Sequence, residues 1–163
     1  LQQLKKYWEE SAKFEKPLSL MMIDADYFKE INDTHGHDAG DTVLYELARN
    51  LQHSVRTDDL VCRLGGDEFL IICPDTDRKG SLNIAEIVRS NVSEMSVKTG
   101  DGLWKGSVSI GVAVRHKDME NYEALIKAAD KGVYAAKRAG KNCVRIQKTI
   151  KKDLIHEAEK ITK

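Results

Sequence analysis

Near its middle the sequence places Gly65-Gly66 between two β-favouring runs, Leu60-Val61-Cys62-Arg63-Leu64 and Phe69-Leu70-Ile71-Ile72-Cys73. Paired glycines between such runs predict a tight hairpin, because a primed two-residue turn needs positive φ, which glycine adopts without steric cost. The arms are expected at 60–64 and 67–73. With the glycines as the turn, opposed residues sum to a constant, so Cys62 is expected opposite Phe69. Asp67 and Glu68 fall at the tip. Adjacent carboxylates repel, so they are tolerated where solvated or where a cation lies between them. A solvated turn explains this pair alone as well as a metal site does.

A second acidic pair favours the metal. Leu18-Ser19-Leu20-Met21-Met22-Ile23 reads as a buried central strand, and it runs into Asp24-Ala25-Asp26. Strand alternation puts Asp24 and Asp26 on one face at the strand's end, where open α/β sheets bind ligands. If this strand neighbours the hairpin, Asp24, Asp67 and Glu68 converge. Carboxylates without histidine or cysteine suit a hard cation such as magnesium, usually one carrying substrate phosphates.

At this point the chain resembles the GGDEF domain, the diguanylate cyclase family. Residues 22–33, Met-Ile-Asp-Ala-Asp-Tyr-Phe-Lys-Glu-Ile-Asn-Asp, are similar to the family's first strand and phosphate loop. Gly36-His37-Asp38-Ala39-Gly40-Asp41 is similar to its next turn, and Arg63 to Phe69 to its signature. Ser107 to Ala113, and Ala128-Ala129-Asp130 through Asn142, are similar to later segments. The resemblance runs in order from residue 18 to about 147. It divides the chain into a GGDEF domain at 1–148, without the family's usual N-terminal segment, and a charged helical tail at 149–163.

The resemblance implies an α+β, palm-like fold with a ferredoxin-like core: a central antiparallel sheet flanked by helices. It implies that two GTP molecules condense to cyclic di-GMP with loss of pyrophosphate, each 3′-hydroxyl attacking the other's α-phosphate. Since one domain holds one GTP, a homodimer is implied for catalysis, with a sensor domain upstream. The implied metal ligands are Asp24, the Ala25 carbonyl, Asp67 and Glu68, for magnesium with manganese as the alternative. Asp67 and Glu68 are the implied catalytic residues, Glu68 helping to activate the hydroxyl. Phe28 and Lys29 begin the implied phosphate turn, where backbone N–H groups at a strand-to-helix junction can cradle an anion. Lys137 and Lys141, four apart on one expected helix face, are implied at the terminal phosphates, although such lysines are commonly a solvated basic face. The family often has Arg where Lys141 stands, so a point charge replaces a bidentate fork.

Asn32 and Asp41 match the guanine-reading pair. A carboxylate suits the adjacent N1–H and N2–H donors of guanine and would meet an acceptor on adenine. The structural alternatives are a helix-ending Asn32 and a helix N-cap at Asp41. Arg56-Thr57-Asp58-Asp59 matches the family's Arg-x-x-Asp product-inhibition site, with Arg89 as a further candidate contact; a loop-end salt bridge is the alternative. His35 and His37 lack the further ligands a zinc site needs. A weakly active module that only binds GTP or cyclic di-GMP is the competing function. A palm-fold phosphohydrolase would share the metals but not the Asn32/Asp41 pair.

Composition agrees with a single domain. The chain has 163 residues, 41% hydrophobic and 32% charged, with a formal net charge of zero. A balanced charge argues against nucleic-acid binding driven by a basic surface. No apolar run approaches the roughly 20 residues of a membrane span. Three scattered cysteines form no disulfide or zinc pattern, so a reducing cytoplasm is expected. The chain begins without Met and reads as part of a longer protein.

Periodicity predicts helices at 1–14, from about 43 to 55, from an N-cap at Ser81, and from an N-cap at Asn121 to Gly140. A loop is expected at 33–40, a weak strand at 100–104, and further strands at 106–114 and 143–146.

Overall fold

The structure, a computed structural model, describes residues 1–100 and 102–146, so the expected tail at 149–163 lies outside the described residues. Its centre is β1, Leu18–Ala25, with every residue buried except the half-buried Asp24. β1 pairs antiparallel on one side with β3, Glu68–Pro74, and on the other with β6, Val108–Val114. β2, Leu60–Gly65, completes the hairpin at one edge. β7, Val144–Ile146, forms the other edge, and the order is β2-β3-β1-β6-β7. β7 runs parallel to β6, so the sheet is mixed rather than wholly antiparallel. A parallel neighbour needs a crossover, which α5, Tyr122–Arg138, provides. A separate two-stranded ribbon, β4 at Val97–Thr99 and β5 at Gly102–Trp104, lies outside this sheet.

The period of two sorts β1 into two cores. Met21, Ile23 and Ala25 pack with Val43, Leu47 and Leu51 of α3, His37–Ser54, and with Ala85 and Val88 of α4, Arg78–Glu94. Leu18, Leu20 and Met22 face the other way. They pack with Leu4 of α1, Gln2–Phe14, and with Leu125, Ala129 and Val133 of α5. Asp24 shares the parity of this second set and so emerges on the α5 side. The result is the expected α+β sandwich.

Several local expectations are corrected. The hairpin's register shifts between Arg63 and Gly65, so Cys62 faces Leu70 rather than Phe69, and the turn residues are Gly66 and Asp67. Gly65 at φ +140° accommodates the extra residue. The expected loop at 33–40 is two helices, α2 at Phe28–His35 and the start of α3, with only Gly36 between them. Gly36, at φ +87°, reverses the chain without a longer loop. The cap of α4 is Asp77, which accepts from the Gly80 N–H at 2.8 Å, so this helix begins before Ser81. Asn121 does cap α5, accepting from Ala124 N–H at 3.1 Å.

Gly132 sits in the middle of α5, where alanine would be the better helix former. The contact with β6 explains it. A Cβ on Gly132 would come within 2.7 Å of the Gly111 Cα and 2.8 Å of the Arg145 carbonyl oxygen. A Cβ on Gly111 would strike the Ala129 carbonyl oxygen and the Val133 nitrogen. Backbone meets backbone here, and the approach fixes how far α5 stands from the sheet. Gly111→Ala is expected to destabilise the fold by about 1–3 kcal/mol, because backbone cannot swing aside as a side chain can. A urea titration reads this as a lower midpoint with an unchanged slope.

Candidate active site

Asp24 stands opposite Glu68 on β3 and opposite Ser109 on β6. The Ala25 N–H donates to the Asp67 carbonyl oxygen at 3.2 Å, which ties the hairpin turn to the end of β1. Arg63 steadies that turn from the side, donating from Nε and a terminal nitrogen to the Gly66 carbonyl oxygen at 3.1 and 2.9 Å. Lys137, in the last turn of α5, places Nζ 2.9 Å from Asp24 Oδ2. The other oxygen, Asp24 Oδ1, is buried and without a hydrogen-bond partner.

Burial raises the Asp24 pKa and the neighbouring Asp67 charge raises it further, while the Lys137 hydrogen bond holds it back. Burial alone would lower Lys137, but its bond to Asp24 and the carboxylates around it raise the ammonium pKa overall. This donor set fits a hard cation. A buried carboxylate oxygen lacks a partner, a second carboxylate is close, and one positive side chain already answers part of the charge. Glu68 shares the Asp24 face but is exposed. Among the described residues no three His, Cys, Asp or Glu side chains gather at metal-binding distance. The expected convergence is therefore a pair, Asp24 and Asp67, with Glu68 alongside. Three carboxylates repel when no cation holds them, and magnesium commonly takes one or two with the substrate's phosphates.

Asp26, expected beside Asp24 on one face, is the buried anchor of this end. It is 1% exposed and accepts from Ser107 Oγ at 2.6 Å, Ser109 Oγ at 2.6 Å and the Asn142 N–H at 3.0 Å. The sequence signal was present. Ser107 and Ser109 are alternate residues at the start of an apolar strand, and such polar pairs need a polar partner when buried.

Lys141 is not on the α5 face with Lys137. The helix ends at Arg138, and Lys141 follows Gly140 in left-handed backbone at φ +67°. Its Nζ lies 4.1 Å from the ring centre of Tyr27, at the start of α2. Tyr27 too is left-handed, at φ +62°, which turns β1 sharply into α2. Phe28 begins that helix with its ring buried in the core, so any ligand would meet its backbone, while Lys29 is exposed.

Asn32 lies within α2, and a Cβ on Gly40 would run into its side-chain amide. The missing Cβ lets α2 and α3 close until Asn32 rests against the turn that carries Asp41. Asp41 is the fifth residue of α3 and exposed, so it is not the N-cap. The His35 ring packs against Gly102 of β5.

Arg56 and Asp59 form a closed pair. The Asp59 side chain is fully buried and accepts from the Arg56 N–H, Nε and Nη2 at 3.0, 3.2 and 3.1 Å. Arg56 Nη2 also reaches Thr76 Oγ1 and, at 3.4 Å, the Pro74 carbonyl oxygen. The pair lines an open pocket of about 390 Å³ with Tyr7, Asp58 and Asp75. Among the described residues Arg89, expected as a further contact, shares no partner with Arg56. It pairs with Glu86 and Asn142.

Known proteins carry the same fold and order of segments. The diguanylate cyclase GGDEF domain family matches residues 1–143, and the chain belongs to it. It is 48% identical over 130 residues to the response regulator PleD of Caulobacter vibrioides, covering 78% of this chain and 29% of that protein. It is 37% identical over 138 residues to diguanylate cyclase A of Treponema denticola, covering 85% of this chain and 37% of that one. The chain thus spans about a third of the length of these relatives. The GGDEF domain of YfiN from Pseudomonas aeruginosa superposes with a TM-score of 0.84 at 33% identity, covering 90% of this chain and 92% of that one. The GGDEF domain of DgcB from Caulobacter crescentus, solved in complex with c-di-GMP, has a TM-score of 0.83 at 29% identity, covering 88% and 85%. Among the described residues no helix is long and apolar enough to cross a membrane.

The raised Asp24 pKa has a sign that can be checked. Asp24 takes up a proton more readily folded than unfolded, so it favours folding at low pH. That contribution is lost as pH rises from the ordinary aspartate range through the raised value. A carbon-13 titration of the ligand-free protein should place the Asp24 midpoint above 3.8. Lys137→Met should move it higher, since Lys137 holds it down. A midpoint below 3.8 in the parent contradicts this electrostatic picture.

Proposed function

We propose that the chain is the catalytic domain of a diguanylate cyclase, joining two GTP molecules into cyclic di-GMP and releasing pyrophosphate. The observation that carries this is the meeting of Asp24, Asp67 and Lys137 at the end of β1, within a chain of the GGDEF family. Magnesium, or manganese in its place, would be held by Asp24, Asp67 and the Ala25 carbonyl, neutralising the triphosphate and polarising the reacting oxygens.

The protein groups have separate tasks. Backbone N–H groups where β1 turns into α2, at Phe28 and Lys29, cradle phosphate oxygens. Lys137 and Lys141 take the terminal phosphates, and Lys137 must give up Asp24 to do so. Asn32 and Asp41, brought close by the missing Cβ of Gly40, read the guanine edge. Glu68 accepts the proton of the 3′-hydroxyl. Each attack forms one phosphodiester bond and breaks the bond to pyrophosphate. Because each domain holds one GTP, two must face each other, so the active species is a homodimer. An upstream sensor domain in a cytoplasmic signalling protein would govern that pairing.

Incubation with GTP and magnesium should yield cyclic di-GMP and pyrophosphate. Asp67→Asn should lower turnover at least about a thousandfold while leaving the melting temperature unchanged, because it alters a turn carboxylate rather than core. Binding of GTP without product, in the parent, would instead favour a module that only senses nucleotide.

A second reading concerns feedback. The pocket beside Arg56 and Asp59 favours a product site, because Arg56 is half exposed and Nη1 has no partner among the described residues. Arg89 of a second domain would supply another cation. Arg56→Ala is expected to weaken cyclic di-GMP binding about tenfold or more and to relieve noncompetitive inhibition. Calorimetry and inhibition kinetics on both proteins check this, and purely competitive inhibition of the parent would place the product in the active site instead.

A further inference from the structure

Arg89 stands on α4, 53 residues before Asn142, with a side chain only 21% exposed. Glu86 holds one side of its guanidinium. Nε donates to both carboxylate oxygens at 3.0 Å, and Nη2 to Oε1 at 2.6 Å. The bond lowers the Glu86 pKa and raises that of Arg89. A fork of this kind fixes the guanidinium plane. It aims Nη1 at the side-chain oxygen of Asn142, 2.9 Å away.

Asn142 closes a turn of three consecutive left-handed residues: Gly140 at φ +115°, Lys141 at +67° and Asn142 at +47°. Lysine and asparagine adopt that conformation at a steric cost, so the turn persists only where outside bonds hold it. Its main-chain ties are Gly140 N–H to the Lys137 carbonyl oxygen at 3.3 Å, Lys141 N–H to the Ala136 carbonyl oxygen at 3.1 Å, and Asn142 N–H to Asp26 at 3.0 Å. Among the described residues Arg89 provides the one bond to a side chain of this turn. Lys141 sits between the helix end and the residue that Arg89 grips, and its ammonium lies over Tyr27.

We infer that Arg89 is a positioning residue for Lys141. Glu86 orients the guanidinium, the guanidinium holds Asn142, and the held turn presents the Lys141 ammonium over Tyr27 beside the phosphate turn. Arg89 itself touches neither the substrate GTP nor the reacting groups. Its role in catalysis rests on the reading above, in which Lys141 engages a phosphate. The substrate class it serves is therefore a magnesium-bound nucleoside triphosphate, and its loss weakens binding more than it slows the chemistry.

The test combines a ligand-free and a ligand-bound measurement on the whole chain. Arg89→Ala should shift the Tyr27 ring signals in the proton NMR spectrum, because the cation above the ring loses its fixed place. Binding of 3′-deoxy-GTP with magnesium, which cannot condense, is measured by calorimetry. Arg89→Ala should weaken it about tenfold in the parent but less than twofold in a Lys141→Ala background, since a residue acting through Lys141 has nothing left to position. Arg89→Lys, which keeps a donor without the fork, should recover part of the loss. Asn142→Gly cuts the same bond at a residue where glycine adopts the φ of +47° freely, and it spares the Glu86–Arg89 pair, so it should reproduce the Tyr27 shift even if Arg89→Ala folds poorly. Unmoved Tyr27 signals in both variants overturn the inference, and so does an equal loss of binding in both backgrounds. If the Tyr27 signals move but Lys141→Ala binds the analogue as the parent does, the positioning stands and the phosphate role of Lys141 falls.

Discussion

A carboxylate taken out of water must be met by donors, and the whole functional end of this domain is arranged around one that is. Asp26 is enclosed where β1 leaves the sheet, and its donors come from two distant parts of the chain: Ser107 and Ser109 at the start of β6, and the backbone after α5. Losing any one donor would leave a buried charge short of a partner, at a cost of about 1–3 kcal/mol. The strand end, its neighbour and the helix exit are thereby held as one piece. Asp24 is two residues away on that piece, and Lys141 is one residue from its third donor. The glycine contact between β6 and α5 sets the same geometry from the other direction, fixing the depth at which α5 brings Lys137 to Asp24.

Two of the acid–base pairs, Arg56–Asp59 and Lys137–Asp24, show how differently a buried carboxylate can be finished. Asp59 has its side chain wholly enclosed and accepts three donors, all from Arg56, so its need for positive charge is met within the loop. Asp24 has one oxygen on Lys137 and one with nothing, beside a second carboxylate. The first arrangement is complete as it stands. The second leaves one oxygen unanswered, which is the condition in which a carboxylate can take a further cation.

Much of this was legible in the sequence because it depends on period and parity. The alternation through Leu18–Asp24 gave the buried strand and the face of Asp24, and the Gly65-Gly66 pair gave the hairpin. The Asp24–Asp67 encounter followed from setting those two side by side. What was not legible depends on single residues that defeat a pattern. Gly36 alone separates α2 from α3, so a stretch that reads as loop is helix on both sides. A bulge beside Gly65 moves the turn by one residue, and no periodicity reports a bulge. Lys141 keeps a helical spacing from Lys137 although the helix has already ended. The partner of Arg89 is 53 residues away, and no local rule reaches that far.

The place of β1 in the sheet also has a consequence for how the chain is made. Within this domain β1 is the first strand in chain order, and it is among the most apolar of its segments. Its partners come late. Met21 pairs with Ile71 and with Val112, so the second partner lies 91 residues downstream. At the roughly 5–20 residues per second of protein synthesis, β1 waits on the order of ten seconds before both of its edges can be paired. Both edges of this apolar strand are open on the growing chain until β3 emerges, and one stays open until β6 follows. The position that makes β1 the best-protected strand of the finished domain makes it the most exposed to wrong partners during birth.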